Sequence, residues 1–539
     1  MDRKGSLQLE NQAMEIPQLN RRAFSAYLIG TVFSTGAIVM LIEIAGARVI
    51  APLFGSSIFV WTAVISVTLL SLALGYFKGG SLADRTATPH ILYRAILIAG
   101  AYLFLSFFIK KATLSASAQL GIQAGALVSG FILFAPPLFL LGMVSPLAVR
   151  LYATHIEKVG SRVGVLYFFS TIGSFLGTLL AGFVLIPQFG VSKILLFAAG
   201  FLVAVSLFYF AFFLKNLKYL FLLAIAGASV FLFSREGLST VDLGNIHIKE
   251  LYKTDSFYGR LKVIEINGLN RFLLIDGANQ GGVNIQNGLS VVLYTYVLEM
   301  LAYMACPDMK RALVIGLGPG TIPNDFSRKG IVTDVVDIDP QIVGIYRRYF
   351  SGYGAAGHIA LFTDDGRCFI RRNPGAYDAV ILDVLLGDSS PWHLLTVEAF
   401  SDIKAALRGH GVLVINFIGL PQEKHSAKII QAIQKTLAQV FPCVSLFNGG
   451  GILGDKAQNV FFLAHLGDPL PDVSLGNQLV PGQFVDDLKD ILQDKNEQVA
   501  QGAFVLTDDY NPLDFYNAKA RELWRRNIMQ SADKYIALE

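Results

Sequence analysis

Four short stretches in the second half of the chain place glycine or acid where chemistry could be done: Gly316-Leu317-Gly318-Pro319-Gly320-Thr321, Asp337-Ile338-Asp339, Asp364-Asp365-Gly366 and Asp383. Each closes an aliphatic run with strand character (RALVI, VTDVV, HIALFT and YDAVIL). A glycine-rich turn lets the backbone approach a ligand, and where it opens a helix it aims free N–H groups at an anionic or polar one. An acid about twenty residues later stands where a ribose diol would find a carboxylate acceptor. Ligands of open α/β sheets lie beyond the carboxyl ends of the strands, so four consecutive strand ends bearing glycine or acid mark one site. Turn and cap chemistry without a ligand would explain any single member of the set, but less readily all four.

Asp383 has the residue type to orient a nucleophile and accept its proton. One reaction such a residue would serve is an in-line displacement at carbon, which needs a free lone pair pointed at the donor. A purely structural acid is the alternative reading. His393, after Pro391-Trp392, falls on the loop expected over the site, where a neutral imidazole would orient an acceptor, or else pack or cap. Thr507-Asp508-Asp509, ahead of Asn511-Pro512, reads as a solvated turn, with folding back onto the site as the alternative.

The elements that must position these residues follow from periodicity. From Arg311 onward strand runs alternate with helical ones, which predicts a Rossmann-like, doubly wound parallel sheet with crossover helices, within a catalytic domain at 290–539. Ahead of it, HIKELYK, GRLKVIEI and RFLLIDG, with Asn267-Gly268 as a type I′ hairpin signal, predict a small antiparallel β unit at 246–283.

The first half is built for another solvent. The 539 residues are 53% hydrophobic and 16% charged, against about 25% charged in an average soluble domain. Runs of about twenty apolar residues recur only before Arg235. After a polar segment at 1–23, seven candidate spans are expected within 24–234: 24–48, 60–79, 91–108, 124–147, 163–186, 194–213 and 219–233. The stretch 115–152 is long enough to fold as two short helices instead, and the last span is short, so the count is either odd or even. Pro136-Pro137 remove two backbone donors, and a neighbouring helix or a wet cavity is expected to satisfy the freed carbonyls. Gly173, Gly177 and Gly182 would let helices approach closely. Glu43 is an ionisable group at membrane depth, either functional or a partner for Arg48.

Basic residues of the short loops number twelve on the N-terminal side against four on the other, which predicts a multi-pass protein of the cell membrane with a cytoplasmic N-terminus. A nucleoside cofactor is scarce outside the cell, so the second half is also expected on the cytoplasmic side, although seven spans would place it outside. The net charge of +4 and the absence of a dense basic stripe argue against a nucleic-acid partner. Cys306, Cys368 and Cys443 lie far apart with no CxxC spacing, so neither a disulfide framework nor a metal site is expected.

Taken as a set, SFYGRLKV, LLIDG, VIGLGPGT, VVDIDPQIV, DDGRCFI and YDAVILDVLLGDSSPWHLLTVEAF, from about Ser256 to Ala406, resemble the spermidine synthase (polyamine aminopropyltransferase) family. The resemblance is closest to its membrane-fused branch, in which multi-span helices precede the synthase-like domain. It implies that the loop of Gly316, Gly318 and Gly320 and the acid Asp337 hold the nucleoside, with Asp337 on the ribose. It further implies Asp365 on the adenine amino group, Asp383 as catalytic base, S-adenosylmethionine or its decarboxylated form as donor, an amine acceptor, and a homodimer. Three positions depart from the pattern. Pro319 stands where the family has an acid for the donor's amino group, Leu386 where it has an acceptor acid, with Asp388 two positions on, and Gly259 where a Gln follows the tyrosine, here Tyr258. Tyr258, Asp388 and His393 are therefore the candidate acceptor-side residues.

The expected function is a membrane-anchored transferase moving an aminopropyl group to an amine. The close alternative is an S-adenosylmethionine methyltransferase, because Pro319 removes an acid that would repel the full methionine carboxylate. A polyamine or nucleoside transporter with a sensing soluble domain, and a binding scaffold without turnover, are further readings.

Overall fold

The computed structural model describes residues 21–55, 58–86, 88–152, 159–214, 238, 240–355, 357–384, 391–449, 457–467, 480–498, 500 and 502–526. The chain divides into two compact units, Met1–Gly237 and Leu238–Glu539.

In the first unit, six helical stretches among the described residues are long and apolar enough to cross a membrane. They are built from α1 (Arg21–Phe54), α2 (Ile58–Thr86), α3 (Pro89–Ala118), α4 (Gly121–Gly142), α5 (Val144–Tyr152), α6 (Val159–Leu180) and α7 (Val191–Phe208). α6 is lengthened by a π turn (Ala181–Leu185) and a last α turn (Ile186–Phe189), and α7 by a π turn (Tyr209–Phe213). α4 and α5 form one span, Gln123–Tyr152. Ser115 belongs to α3, so the stretch 115–152 is not a pair of short spans. The candidate span at 219–233 and the boundary near Arg235 lie outside the described residues.

Pro136 cannot donate to the Ile132 carbonyl one turn back, and the Tyr102 hydroxyl of α3 donates to it instead at 2.7 Å. The glycine contacts are as close as expected at two positions of three. A Cβ on Gly173 would lie 2.0 Å from the Phe33 carbonyl oxygen and one on Gly177 2.4 Å from that of Ala37, whereas one on Gly182 would meet nothing within 4 Å. α1 and α6 thus touch backbone to backbone.

The second unit opens with a five-stranded antiparallel sheet, β1 (Thr240–Leu243), β2 (Ile246–Asp255), β3 (Arg260–Ile266), β4 (Asn270–Ile275) and β5 (Ala278–Asn284), in sequential order. Asn267 and Gly268 adopt φ of 54° and 62° in the β3–β4 turn, as a type I′ turn requires. The sheet exceeds the predicted 246–283 at both ends. β1 is only four residues long, and β5, ANQGGVN, is rich in residues of low β propensity, so neither announces itself in the sequence.

α8 (Leu293–Ala305) leads into an eight-stranded sheet ordered β13-β11-β12-β10-β9-β6-β7-β8. β6 (Arg311–Ile315), β7 (Val332–Asp337), β8 (Ile359–Thr363), β9 (Tyr377–Leu382) and β10 (Leu407–Gly419) are parallel. β12 (Gln458–His465) joins β10 antiparallel, and β11 (Cys443–Asn448) and β13 (Lys495–Asn496) follow, so the sheet is mixed rather than wholly parallel. α9 (Thr321–Arg328), α10 (Pro340–Tyr349), α11 (Gly366–Arg371), α12 (Val397–Ala406) and α13 (Lys424–Ala438) make the crossovers. Alternate strand residues serve two cores, Val314, Val335 and Ile381 packing on one face and Leu313, Val336 and Val380 on the other. Strand order reverses between β6 and β9, which puts the switch-point crevice at the ends of those two strands.

Candidate active site

The crevice is lined by the residues that end the strands. After β6 the chain turns sharply, with Gly316 at φ 93°, and a Cβ there would lie 2.2 Å from the Asp383 carbonyl oxygen. Only glycine permits both the conformation and the contact. The loop enters α9, so the free N–H groups of its first turn face the crevice.

Asp337, at the end of β7, is buried and accepts one backbone N–H on each carboxylate oxygen: Leu317 N on Oδ2 and Asp339 N on Oδ1, both at 2.9 Å. Burial pushes its carboxyl up to about 6, against the pull of those two donors. Each oxygen keeps a lone pair, so the residue that fixes the glycine loop also remains able to accept a diol. Its neighbour Asp339 is a helix cap, accepting from Gln341 N at 2.9 Å.

Asp365 caps α11 through Oδ1, which accepts from Cys368 N at 2.9 Å, and turns Oδ2 toward His393 Nε2 at 3.5 Å. Burial would raise this carboxyl, but the Cys368 donors and His393 hold it below the usual range. His393 thus stands beside Asp365, one of the strand-end acids. Tyr258, from the turn between β2 and β3, has its phenol raised by burial and by the charges of Asp339, Asp337 and Asp365, which places it at the same end of the crevice. Asp388 lies outside the described residues.

Asp383 follows β9, with its carboxyl pushed up to about 6 by burial against stabilising bonds from Asn416 and Tyr294. Asn416 Nδ2 donates to its Oδ1 at 2.9 Å, and Asn459 Nδ2 donates to Asn416 Oδ1 at 2.8 Å. The Tyr294 hydroxyl is within reach of Asp383 and of the Gln280 carbonyl, at 3.2 Å. Pro319 packs toward the β unit, where a Cβ on Gly281 would lie 3.0 Å from its Cγ.

Two features lay beyond the sequence reading. Tyr294 opens α8 with no motif around it, whereas Asn416 sits near the end of the fifth parallel strand, where the strand-end rule applied to the other four would have found it. The second feature adds to the solvated turn expected at Thr507–Asp509, which the structure has, with Asp508 and Asp509 exposed. Asp508 is held by Arg367 in a two-pronged pair, Nη1 to Oδ1 at 2.8 Å and Nη2 to Oδ2 at 2.9 Å, and by the Thr396 hydroxyl at 2.7 Å. Arg367 also reaches Asp402 at 3.0 Å and the His393 carbonyl at 3.3 Å, and Asn511 Nδ2 donates to the Trp392 carbonyl at 2.9 Å. The C-terminal segment therefore pins the loop that carries His393.

Strand order, glycine loop and strand-end acids define a doubly wound α/β domain with its candidate site at the switch point. Residues 292–448 match the family model described as Spermine/spermidine synthase domain. A polyamine aminopropyltransferase 2 of Aquifex aeolicus is 25% identical over 407 residues, 71% of this chain and 77% of the relative, a span longer than the second unit alone. An N-terminal histidine N-methyltransferase of Emericella nidulans is 32% identical over 195 residues, 32% of this chain; the chain spans only 34% of that relative. The spermidine synthase from Thermotoga maritima aligns over 43% of this chain and 83% of its own, at 17% identity and a TM-score of 0.34.

Proposed function

We propose that the second half is a transferase that moves an aminopropyl group from decarboxylated S-adenosylmethionine to an amine. The carrying observation is Asp383, a half-buried carboxyl at the switch point, directly under the glycine loop and separated by one strand, β6, from the ribose-type acid Asp337. In this reading the amine nitrogen attacks the carbon bonded to the sulfonium. The C–N bond forms as the C–S bond breaks, sulfur keeps the electron pair as a neutral thioether, and the amine proton passes to Asp383. The aminopropyltransferase relative matching 71% of the chain supports it.

Methyl transfer from S-adenosylmethionine is the second reading. Pro319 favours it, because the loop then holds no carboxylate to oppose the methionine carboxylate, and the histidine methyltransferase relative is consistent with it. Calorimetric titration of the full chain with each donor separates the two: aminopropyl transfer requires tighter binding of the decarboxylated form. In either case Asp383→Asn keeps donor affinity near the parent value while turnover falls about a hundredfold or more. A variant losing binding and turnover equally would make Asp383 a pocket wall.

The same reading sets the first half in the lipid bilayer of the cell membrane, with the N-terminus and the second half on the cytoplasmic side, and joins two chains as a homodimer. The six apolar helices among the described residues and the basic-residue bias support that topology. A cysteine at Asn270, in a chain freed of its native cysteines, should escape a membrane-impermeant thiol reagent in intact cells and react after lysis. Labelling before lysis would put the domain outside.

A further inference from the structure

A carboxylate that takes a proton from a nucleophile must point one lone pair at it, so whatever fixes the carboxylate's rotation matters as much as its presence. The side chain next to Asp383 is an amide, and an amide has two faces that pull opposite ways. Its NH2 stabilises a carboxylate, whereas its carbonyl repels one. Asn416 is only 2% exposed and presents Nδ2 to Asp383 Oδ1. Nothing in its own geometry prefers that orientation over the flipped one. Asn459 supplies the preference, since its Nδ2 donates to Asn416 Oδ1 and leaves only the NH2 end for Asp383.

The sheet register explains how the two meet. Ile418 pairs with Asn459 and Asn416 with Phe461, so Asn416 and Asn459 are diagonal neighbours on one face of the antiparallel β10–β12 pair. Asn416 in turn lies one step beyond Ile415, which pairs with Leu382, the residue before Asp383, on the other side of β10. A bond made in the antiparallel part of the sheet is thereby passed to the parallel strand end.

We infer that Asn416 and Asn459 are positioning residues acting in series, Asn459 setting the amide of Asn416 and Asn416 setting the rotation and ionisation of the Asp383 carboxylate. This rests on the reading of Asp383 as the base. From the other elements packed around Asp383, Tyr294 of α8 is the titratable group that faces it, and the Gly316–Gly320 loop brings none.

The test reads the carboxyl directly and needs no acceptor. Infrared difference titration of the detergent-solubilised full chain, with Asp383→Asn subtracted to isolate one carboxyl, gives the midpoint of Asp383. Asn416→Leu removes a donor from the charged form, so the midpoint should rise by about one pH unit, roughly tenfold in acid dissociation. Asn459→Leu should move it the same way by less. The double variant should move it no further than Asn416→Leu alone, because groups in series are not additive.

Independent, additive shifts would overturn the relay, as would an unmoved midpoint in Asn416→Leu chains that still bind S-adenosylmethionine or its decarboxylated form. Should Asn416→Leu fail to fold, the half-buried Asn459 position carries the test alone, a rise supporting the relay and an unmoved midpoint overturning it. Failure of the base reading looks different, since Asp383→Asn would then lose no more turnover than donor binding, whatever the midpoints do. In the parent's favour, the acid limb of the turnover profile should follow the infrared midpoint in each variant.

Discussion

The two halves of this chain use the same small residue and the same polar groups to opposite ends. In the helical half, Gly173 and Gly177 keep ordinary helical conformation and serve only by lacking a side chain, so that α1 and α6 meet backbone to backbone. In the α/β half, Gly316 holds a conformation other residues rarely adopt and presses against the next strand end. Polar side chains divide likewise. The hydroxyls of Thr31, Thr35, Ser71 and Thr178 bond back to carbonyls one turn earlier on their own helices, at 2.6–2.9 Å. Asp337 and Asp383 bond instead to a neighbouring loop and strand, and Asp365, which caps the helix after it, turns its other oxygen to His393. Where no water is available, a polar group is safest inside its own element. Where a ligand is to be held, polar groups that tie several elements together fix those elements before the ligand arrives.

The largest effect that would break this contrast is a methyl group at each kind of glycine. Gly316→Ala forces a left-handed conformation worth about 1–2 kcal/mol in strain and a clash with the Asp383 carbonyl, so donor affinity should fall by about a hundredfold. Gly173→Ala should lower the melting temperature of the full chain while leaving donor affinity, read by calorimetry, as in the parent. Equal losses of affinity would mean the halves are not separable.

A smaller effect is expected at Asp337. Asp337→Ala frees the Leu317 and Asp339 N–H groups and removes the diol acceptor. At about 1.5–3 kcal/mol for a hydrogen bond to a charged group, affinity for the nucleoside should drop tenfold or more, and an unchanged affinity would remove Asp337 from the pocket.

The smallest concerns stability at high pH. Glu299 of α8 is buried and raised well above the usual range, first by burial and then by the charge of Asp325, to which it hydrogen-bonds. Asp325 is itself paired with Lys329 and, at 3.1 Å, with Arg328. A folded-state value above the unfolded one contributes stability that is full at low pH and lost as pH rises through the folded value. The parent should therefore lose melting temperature on the alkaline side, and Glu299→Gln, which keeps a donor without the charge, should lose less. Parallel melting curves from pH 6 to pH 10 would refute the pairing.

Much of this was legible in the sequence because it depends on local signals. Strand-end acids, the glycine turn, the Asn267-Gly268 hairpin and the first six apolar spans are all set within a few residues, and the structure has each where its pattern put it, whereas the span at 219–233 lies outside the described residues. The elements that escaped depend on partners far along the chain. β12 runs antiparallel because its neighbour β10 offers an edge, which no periodicity encodes. Asp508 has the composition of a turn, and only Arg367, 141 residues earlier, makes it a structural anion. Asn459 is an ordinary strand residue until Asn416 stands diagonally across from it.

The Arg367–Asp508 clamp also bears on the order in which the protein is made. Synthesis runs from the first residue, so the apolar helices emerge before any strand of the sheet, and Arg367 emerges 141 residues ahead of the acid that holds it. At about 5–20 residues per second that interval is on the order of ten seconds, during which the glycine loop and the strand-end acids exist without the wall that Asp508 secures. The pocket is finished only once the chain has been extended past Asp508. A chain cut short before that point would keep its helices and most of its sheet, yet leave the loop bearing His393 without its fastening.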